Sequence, residues 1–215
     1  MQEIFYHTIN WQDSDLSNWH IENEKYDFLY KYKFDTNSTV VDIGSYDGTW
    51  LKKITDMYGC HGIGLEPVNK FYLKSLNNIT DKLQFINAGI TIKNEHKLKI
   101  NLNVDSTSIL TTGRPLEHQD EECEITLINV MDFLNNISFK KIDLLQINIE
   151  GYEYELLPYM IENNLFNNIT NLQIQFHSIS TLSETKYINI KKKLNEIGFK
   201  DTFDFKLVWY GASKL

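Results

Sequence analysis

TVVDIGSYDGTW, residues 39–50, is the stretch that decides the fold. Thr39, Val40, Val41 and Ile43 read as a short β-branched strand with Asp42 near its end. Gly44 and Gly48 bracket a tight turn. Beyond Gly48, residues Trp50, Leu51, Ile54, Met57 and Tyr58 fall on one helical face, and Gly59 stops the helix. Strand, glycine turn and helix form the first unit of a nucleotide-binding α/β fold, with free N–H groups and a positive dipole end at the helix start. A side chain at Gly44 is expected to stand between the backbone and a ligand crossing the strand end. The glycines are separated by Ser45, Tyr46 and Asp47, so the turn is not the Gly-x-Gly-x-x-Gly of a dinucleotide site.

The rest of the chain repeats the unit. HGIGLEP, residues 61–67, gives a second strand over 63–66, ending in Glu66, with Pro67 expected to open a helix. Glu66 follows Asp42 at close to the ~20-residue offset at which a carboxylate meets a ribose hydroxyl pair. LQFIN, residues 83–87, is a third strand whose end, Asn87 and Ala88, is expected beside the base of a bound nucleoside. Residues 91–130 break the rhythm with two alternating strands, 97–104 and 124–130, around a polar stretch. That stretch carries Ser106, Thr107, Ser108, Arg114 and His118, read as contacts for an acceptor substrate or as an acidic loop.

KIDLLQINIE, residues 141–150, is a nearly continuous apolar run suited to a central parallel strand, ending at Asn148 and Glu150. In the helix after it, Pro158 should lie near the first turn or kink the axis. LQIQF, residues 172–176, is a fifth strand ending at His177. Thr181 to Glu184 reads as a capping box opening a last helix, which Gly198 closes. The tail, 199–210, is too short for a crossover helix, so its two strands should be antiparallel. The expected fold is therefore α/β: a Rossmann-like sheet of five parallel strands plus a C-terminal antiparallel hairpin. Residues 39–215 form the domain, and 1–38 form an aromatic-rich helical extension. That extension either packs on the sheet edge or covers the site as a lid built from His7, Trp11 and Trp19.

Composition narrows the function. The 215 residues suit one domain, and 42% hydrophobic content is enough for a full core. A net charge of −8 without a basic run argues against a nucleic-acid groove, and Lys191 to Lys193 read as the solvated face of a helix. Membrane insertion is not expected, because no apolar run approaches the ~20 residues a span needs. The N-terminus lacks a secretory pattern, and two cysteines, Cys60 and Cys123, form no metal motif, so a cytoplasmic location is expected.

VVDIGSYDG, GIGLEP, INAGI, NVMDFL, IDLLQINIEGYEYELL and LQIQFHS run in one order over roughly residues 38–180. Together they resemble the FkbM family of S-adenosylmethionine-dependent methyltransferases. The resemblance implies a class I methyltransferase sheet and O-methylation of a hydroxyl on a small-molecule or glycan acceptor, often a sugar. It implies that Asp42, Gly44 and Gly48 shape the methionine end of the cofactor site, while Glu66 holds the ribose; Ser45, Tyr46, Asp47 and Pro67 are further expected cofactor contacts. Ser106, Thr107, Arg114 and Trp11 are the expected acceptor contacts. The family usually has Lys-Ile-Asp where this chain has Gln146, Ile147 and Asn148. His177 and Glu150 are the candidate bases, with Asn148 orienting the acceptor. A divalent metal on Glu150, His177 and Asn148 is the less favoured reading, since two hard ligands and one amide hold it weakly. The alternative to an enzyme is a binding protein that kept the fold and lost the chemistry, with Asn148 as its support.

Overall fold

The structure, a computed structural model, describes residues 15–102 and 121–214. A seven-stranded sheet lies between two helical layers. Its strands are β1 (Thr39–Ile43), β2 (His61–Leu65), β3 (Leu83–Ile86), β7 (Ile142–Ile147), β8 (Ile169–Gln175), β9 (Phe199–Phe205) and β10 (Trp209–Lys214). They are ordered β3-β2-β1-β7-β8-β10-β9. The first five are parallel, and β10 runs antiparallel to both β8 and β9. The expected five-plus-two arrangement is therefore present. A second sheet, in the order β4-β6-β5, holds β4 (Gly89–Thr91), β5 (Lys97–Leu102) and β6 (Glu121–Asn129). It is anchored on the domain where Ile100, Ile125 and Leu127 bury Val68.

Alternation along the strands assigns the two faces. Val41, Ile43, Leu145 and Ile147 point to one side, into the main core. The helices α4 (Val130–Asn136), α5 (Glu153–Glu162) and α6 (Ser183–Glu196) cover them. Val40 and Leu144 point to the other side, under Leu51 and Ile54 of α2 (Thr49–Tyr58). Tyr30, Tyr32 and Phe34, from the segment leading into β1, complete that layer. Burial of these branched side chains, each worth about 1.5–3 kcal/mol, holds the strands in register.

The N-terminal helix α1 (Leu16–Tyr26) packs at the sheet edge. Trp19 is buried against Phe28, Phe203, Phe205 and Trp209. The Asp15 carboxylate does not cap this helix, because it accepts a hydrogen bond from Lys206 N at 3.1 Å. Of the lid residues, His7 and Trp11 lie outside the described residues.

Two local expectations fail for physical reasons. α3 (Asn69–Ser75) starts two residues after Pro67, because the Glu66 carboxylate takes the Val68 N–H and holds the chain extended there. The capping box at Thr181 does not form; the Ser183 hydroxyl instead accepts from Ile179 N and Ser180 N. Of the two placements expected for Pro158, the structure has the interior one, inside α5 and past its first turn.

Candidate active site

The carboxyl ends of β1, β2, β7 and β8 lie side by side, so the residues just past them share one crevice. At β1, Gly44 N and Ser45 N both donate to Leu65 O at 2.9 Å, tying the turn to β2. Gly44 adopts φ +88°, and a Cβ there would stand 1.9 Å from the Asn148 carbonyl oxygen. The glycine is thus required by the neighbouring strand end rather than by a ligand. Gly48, at φ +77°, serves packing as well, since a Cβ would meet the Phe85 ring at 2.5 Å. Gly48 is the N-cap of α2, and Asp47 Oδ1, one residue earlier, accepts from Thr49 N at 3.0 Å.

Glu66 braces the crevice floor. Its Oε2 accepts from Tyr46 N at 2.9 Å and its Oε1 from Val68 N at 2.8 Å. Each oxygen keeps a second lone pair for another donor. Burial pushes this carboxyl up to about 7 in spite of those two bonds. Asn87 Nδ2 donates to the Glu66 and Pro67 carbonyls at 2.9 and 3.2 Å, and the adjoining Ala88 is buried. Asp42 is 1% exposed, with Oδ1 accepting from Gln146 Nε2 at 3.1 Å. Burial raises it to about 7, and the nearby Glu66 charge adds to the shift.

Five buried side-chain polar atoms among the described residues lack a hydrogen-bond partner. Four of them, Asp42 Oδ2, Ser45 Oγ, Trp50 Nε1 and Asn148 Oδ1, belong to the β1 end, its turn, the start of α2 and the β7 end. Buried polar groups are normally satisfied, so these four atoms have hydrogen-bonding capacity to spare for a ligand or water. The four are a carboxylate oxygen, a hydroxyl, an indole N–H and an amide carbonyl. Glu66 stands one strand away, just past the end of β2.

At the β7 and β8 ends a second cluster forms. Glu153 is fully buried, and its Oε1 accepts from His177 N at 2.8 Å and faces His177 Nδ1 at 3.1 Å. Its Oε2 accepts from Gly151 N at 2.7 Å. His177 Nε2 lies 3.4 Å from Glu150 Oε1. Burial alone would lower the imidazole, but hydrogen bonds to Glu150 and Glu153 push it up to about 10. Tyr46 and Glu150, both non-glycine, hold left-handed backbones at φ 51° and 53° on the adjoining β1 and β7 loops. Strained residues of this kind persist where the surrounding structure over-determines them, as at binding sites.

The structure therefore gathers Asp42, Ser45, Glu66, Asn148, Glu150 and His177 around one crevice. Glu153 braces His177, and Gln146 bonds Asp42 with Gln173 behind it; none of the three was singled out from the sequence as a site residue. Their one signal there is a polar residue inside an otherwise apolar block. Ser106, Thr107, Arg114 and Trp11 lie outside the described residues. Among the described residues no group of three or more His, Cys, Asp and Glu is arranged to hold a metal ion. Nor is any helix there long and apolar enough to cross a membrane.

The chain matches the family described as "Methyltransferase FkbM domain" over residues 42–200. No curated protein matches it. Among solved structures, the chain is similar to "METTL16 MTase domain" with a TM-score of 0.51 and 14% identity, covering 99% of this chain and 71% of that one. It is also similar to the "fibrillarin/Nop5p complex", with a TM-score of 0.52 and 12% identity, covering 100% of this chain and 89% of the other. At such identities the likeness is one of fold.

Proposed function

The chain belongs to the FkbM methyltransferase family, and on that premise we propose that it moves a methyl group from S-adenosylmethionine to a hydroxyl of a sugar or glycan precursor. The observation that carries the cofactor assignment is the cluster of unsatisfied buried groups at Asp42, Ser45, Trp50 and Asn148, with Glu66 alongside. Asp42, Ser45 and Asn148 would hold the amino-acid end, and the spare lone pairs of Glu66 the ribose. When bound, the cofactor supplies a methyl group on a sulfonium.

What the chain's own residues must do is align the acceptor oxygen and take its proton. Glu150 and Glu153 flank the His177 imidazole, and their hydrogen bonds hold its proton. With the proton on the imidazole, two carboxylates and one imidazolium leave one surplus negative charge. Both His177 nitrogens already face carboxylates, so His177 is a fixed cation rather than the acceptor of a proton. The surplus charge is open to a substrate at Glu150, whose side chain is 27% exposed while that of Glu153 is fully buried. Glu150 is accordingly the base, His177 and Glu153 position it, and Asn148 orients the acceptor.

The test is methyl transfer from labelled S-adenosylmethionine to a panel of nucleotide sugars, oligosaccharides, RNA and protein. The expected product is a sugar methyl ether, stable to mild base. Glu150→Gln should lower kcat about 100-fold and leave S-adenosylhomocysteine affinity unchanged. A product methylated on nitrogen, or tight cofactor binding without transfer to any hydroxyl, would overturn the proposal; the second result would favour a binding protein.

A further inference from the structure

A single row of residues crosses the whole main sheet on the face covered by α2. In register it reads Phe203, Gly211, Gln173, Gln146, Asp42, Gly64 and Phe85. The two ends are closed by rings lying over glycines. A Cβ at Gly211 would stand 2.3 Å from Phe203, and one at Gly64 2.6 Å from Phe85. The three central side chains are polar and buried, with Gln173 at 0%, Gln146 at 5% and Asp42 at 1% exposure. Two buried amides are a costly way to fill a sheet face unless every group is matched.

They are matched in one direction. The Tyr32 hydroxyl donates to Gln173 Oε1 at 2.7 Å, Gln173 Nε2 donates to Gln146 Oε1, and Gln146 Nε2 donates to Asp42 Oδ1 at 3.1 Å. Tyr32 is itself fixed, since its N–H donates to the Tyr58 hydroxyl at 3.0 Å. Burial raises the Tyr32 phenol, so it stays a donor. Donors aligned head to tail polarise one another, and the donor end reaches Asp42. One carboxylate oxygen is thereby engaged, while Oδ2 stays buried without a partner. The ionisable groups acting on Asp42 are Glu66 from the β2 end and Tyr30 from the segment before β1. Neither is a cation, so a dry carboxylate at a ligand crevice still lacks its counter-charge.

We propose that Tyr32, Gln173 and Gln146 are positioning residues that orient Asp42 and favour its carboxylate form, with Oδ2 directed at the ammonium group of the bound methyl donor. The inference rests on the crevice being an S-adenosylmethionine site. Tyr32 lies before the family-matched residues 42–200, so the segment ahead of the methyltransferase core tunes its cofactor affinity.

Two ligands separate this role from a structural one. S-adenosylhomocysteine carries the ammonium group, whereas 5′-methylthioadenosine keeps the nucleoside and thioether but lacks the amino acid. Tyr32→Phe and Gln146→Met should each weaken S-adenosylhomocysteine about five-fold, the worth of one hydrogen bond, and leave methylthioadenosine unchanged. Because the ratio is taken within each variant, a general loss of stability cancels. An unchanged ratio in both variants, with both ligands still binding, would overturn the positioning chain alone. Failure of wild-type protein to bind either ligand would overturn the cofactor reading and this inference with it.

Discussion

Asp42, Glu66 and His177 each carry a displaced titration, and the signs combine. Asp42 and Glu66 move up from 3.8 and 4.5 to about 7, so the fold holds protons that the unfolded chain has already released. Their contribution therefore falls as pH rises from about 4 to 7. His177 moves up from 6.5 to about 10. The stability it supplies is complete below about 6.5 and lost as pH climbs toward 10. Thermal melts of the ligand-free protein should thus decline from pH 5 to 10. Asp42→Asn should flatten the arm below pH 7, and His177→Gln the arm above it. A melting temperature that rises between pH 5 and 7 would contradict the buried carboxyl assignments. Some of this was legible at residue level: Asp42, Glu66, Glu150 and His177 all close an apolar run. Glu153 was hidden because an acid in the first turn of a helix is ordinary. Gln146 and Gln173 were hidden because their role appears only when β7 and β8 are paired.

At the scale of elements, the sheet's antiparallel edge is held by a charged network rather than by apolar packing alone. Lys191 of α6 lies between Asp201 and Asp204 of β9. The Tyr187 hydroxyl donates to Asp204 and that of Tyr210 to Asp201. Lys191 therefore joins helix and hairpin, a role beyond the solvated face expected for it. Lys191→Met leaves two carboxylates without their cation and should cost about 1–2 kcal/mol in urea denaturation. Cofactor affinity should stay unchanged, because the network lies on β9 and α6, away from the β1 and β2 ends. An unaltered urea midpoint would show the network to be idle. The elements themselves were readable where periodicity was strong, as for β1, α2, β7 and α6. β4 was missed because it has only three residues and pairs with β6, far along the chain. The true start of α3 was missed because a side chain, Glu66, overrides the usual preference of Pro67 for a first helical turn.

On the scale of the whole molecule, the parallel strand ends define the crevice, the segment before β1 reaches under it through Tyr32, and the second sheet flanks α3. The crevice could be anticipated from the sequence because ligands of open α/β sheets sit over the carboxyl ends of the strands. Its polarity could not, because satisfaction of buried groups is a property of the assembled sheet. The central claim is that this crevice binds a cationic adenosyl cofactor rather than a dinucleotide. Calorimetric titration with S-adenosylmethionine, S-adenosylhomocysteine and NAD tests it most directly. The account predicts one site per chain for the first two ligands, weakened about ten-fold or more by Glu66→Ala, and no binding of NAD. Saturable binding of NAD with none of either adenosyl ligand would contradict it.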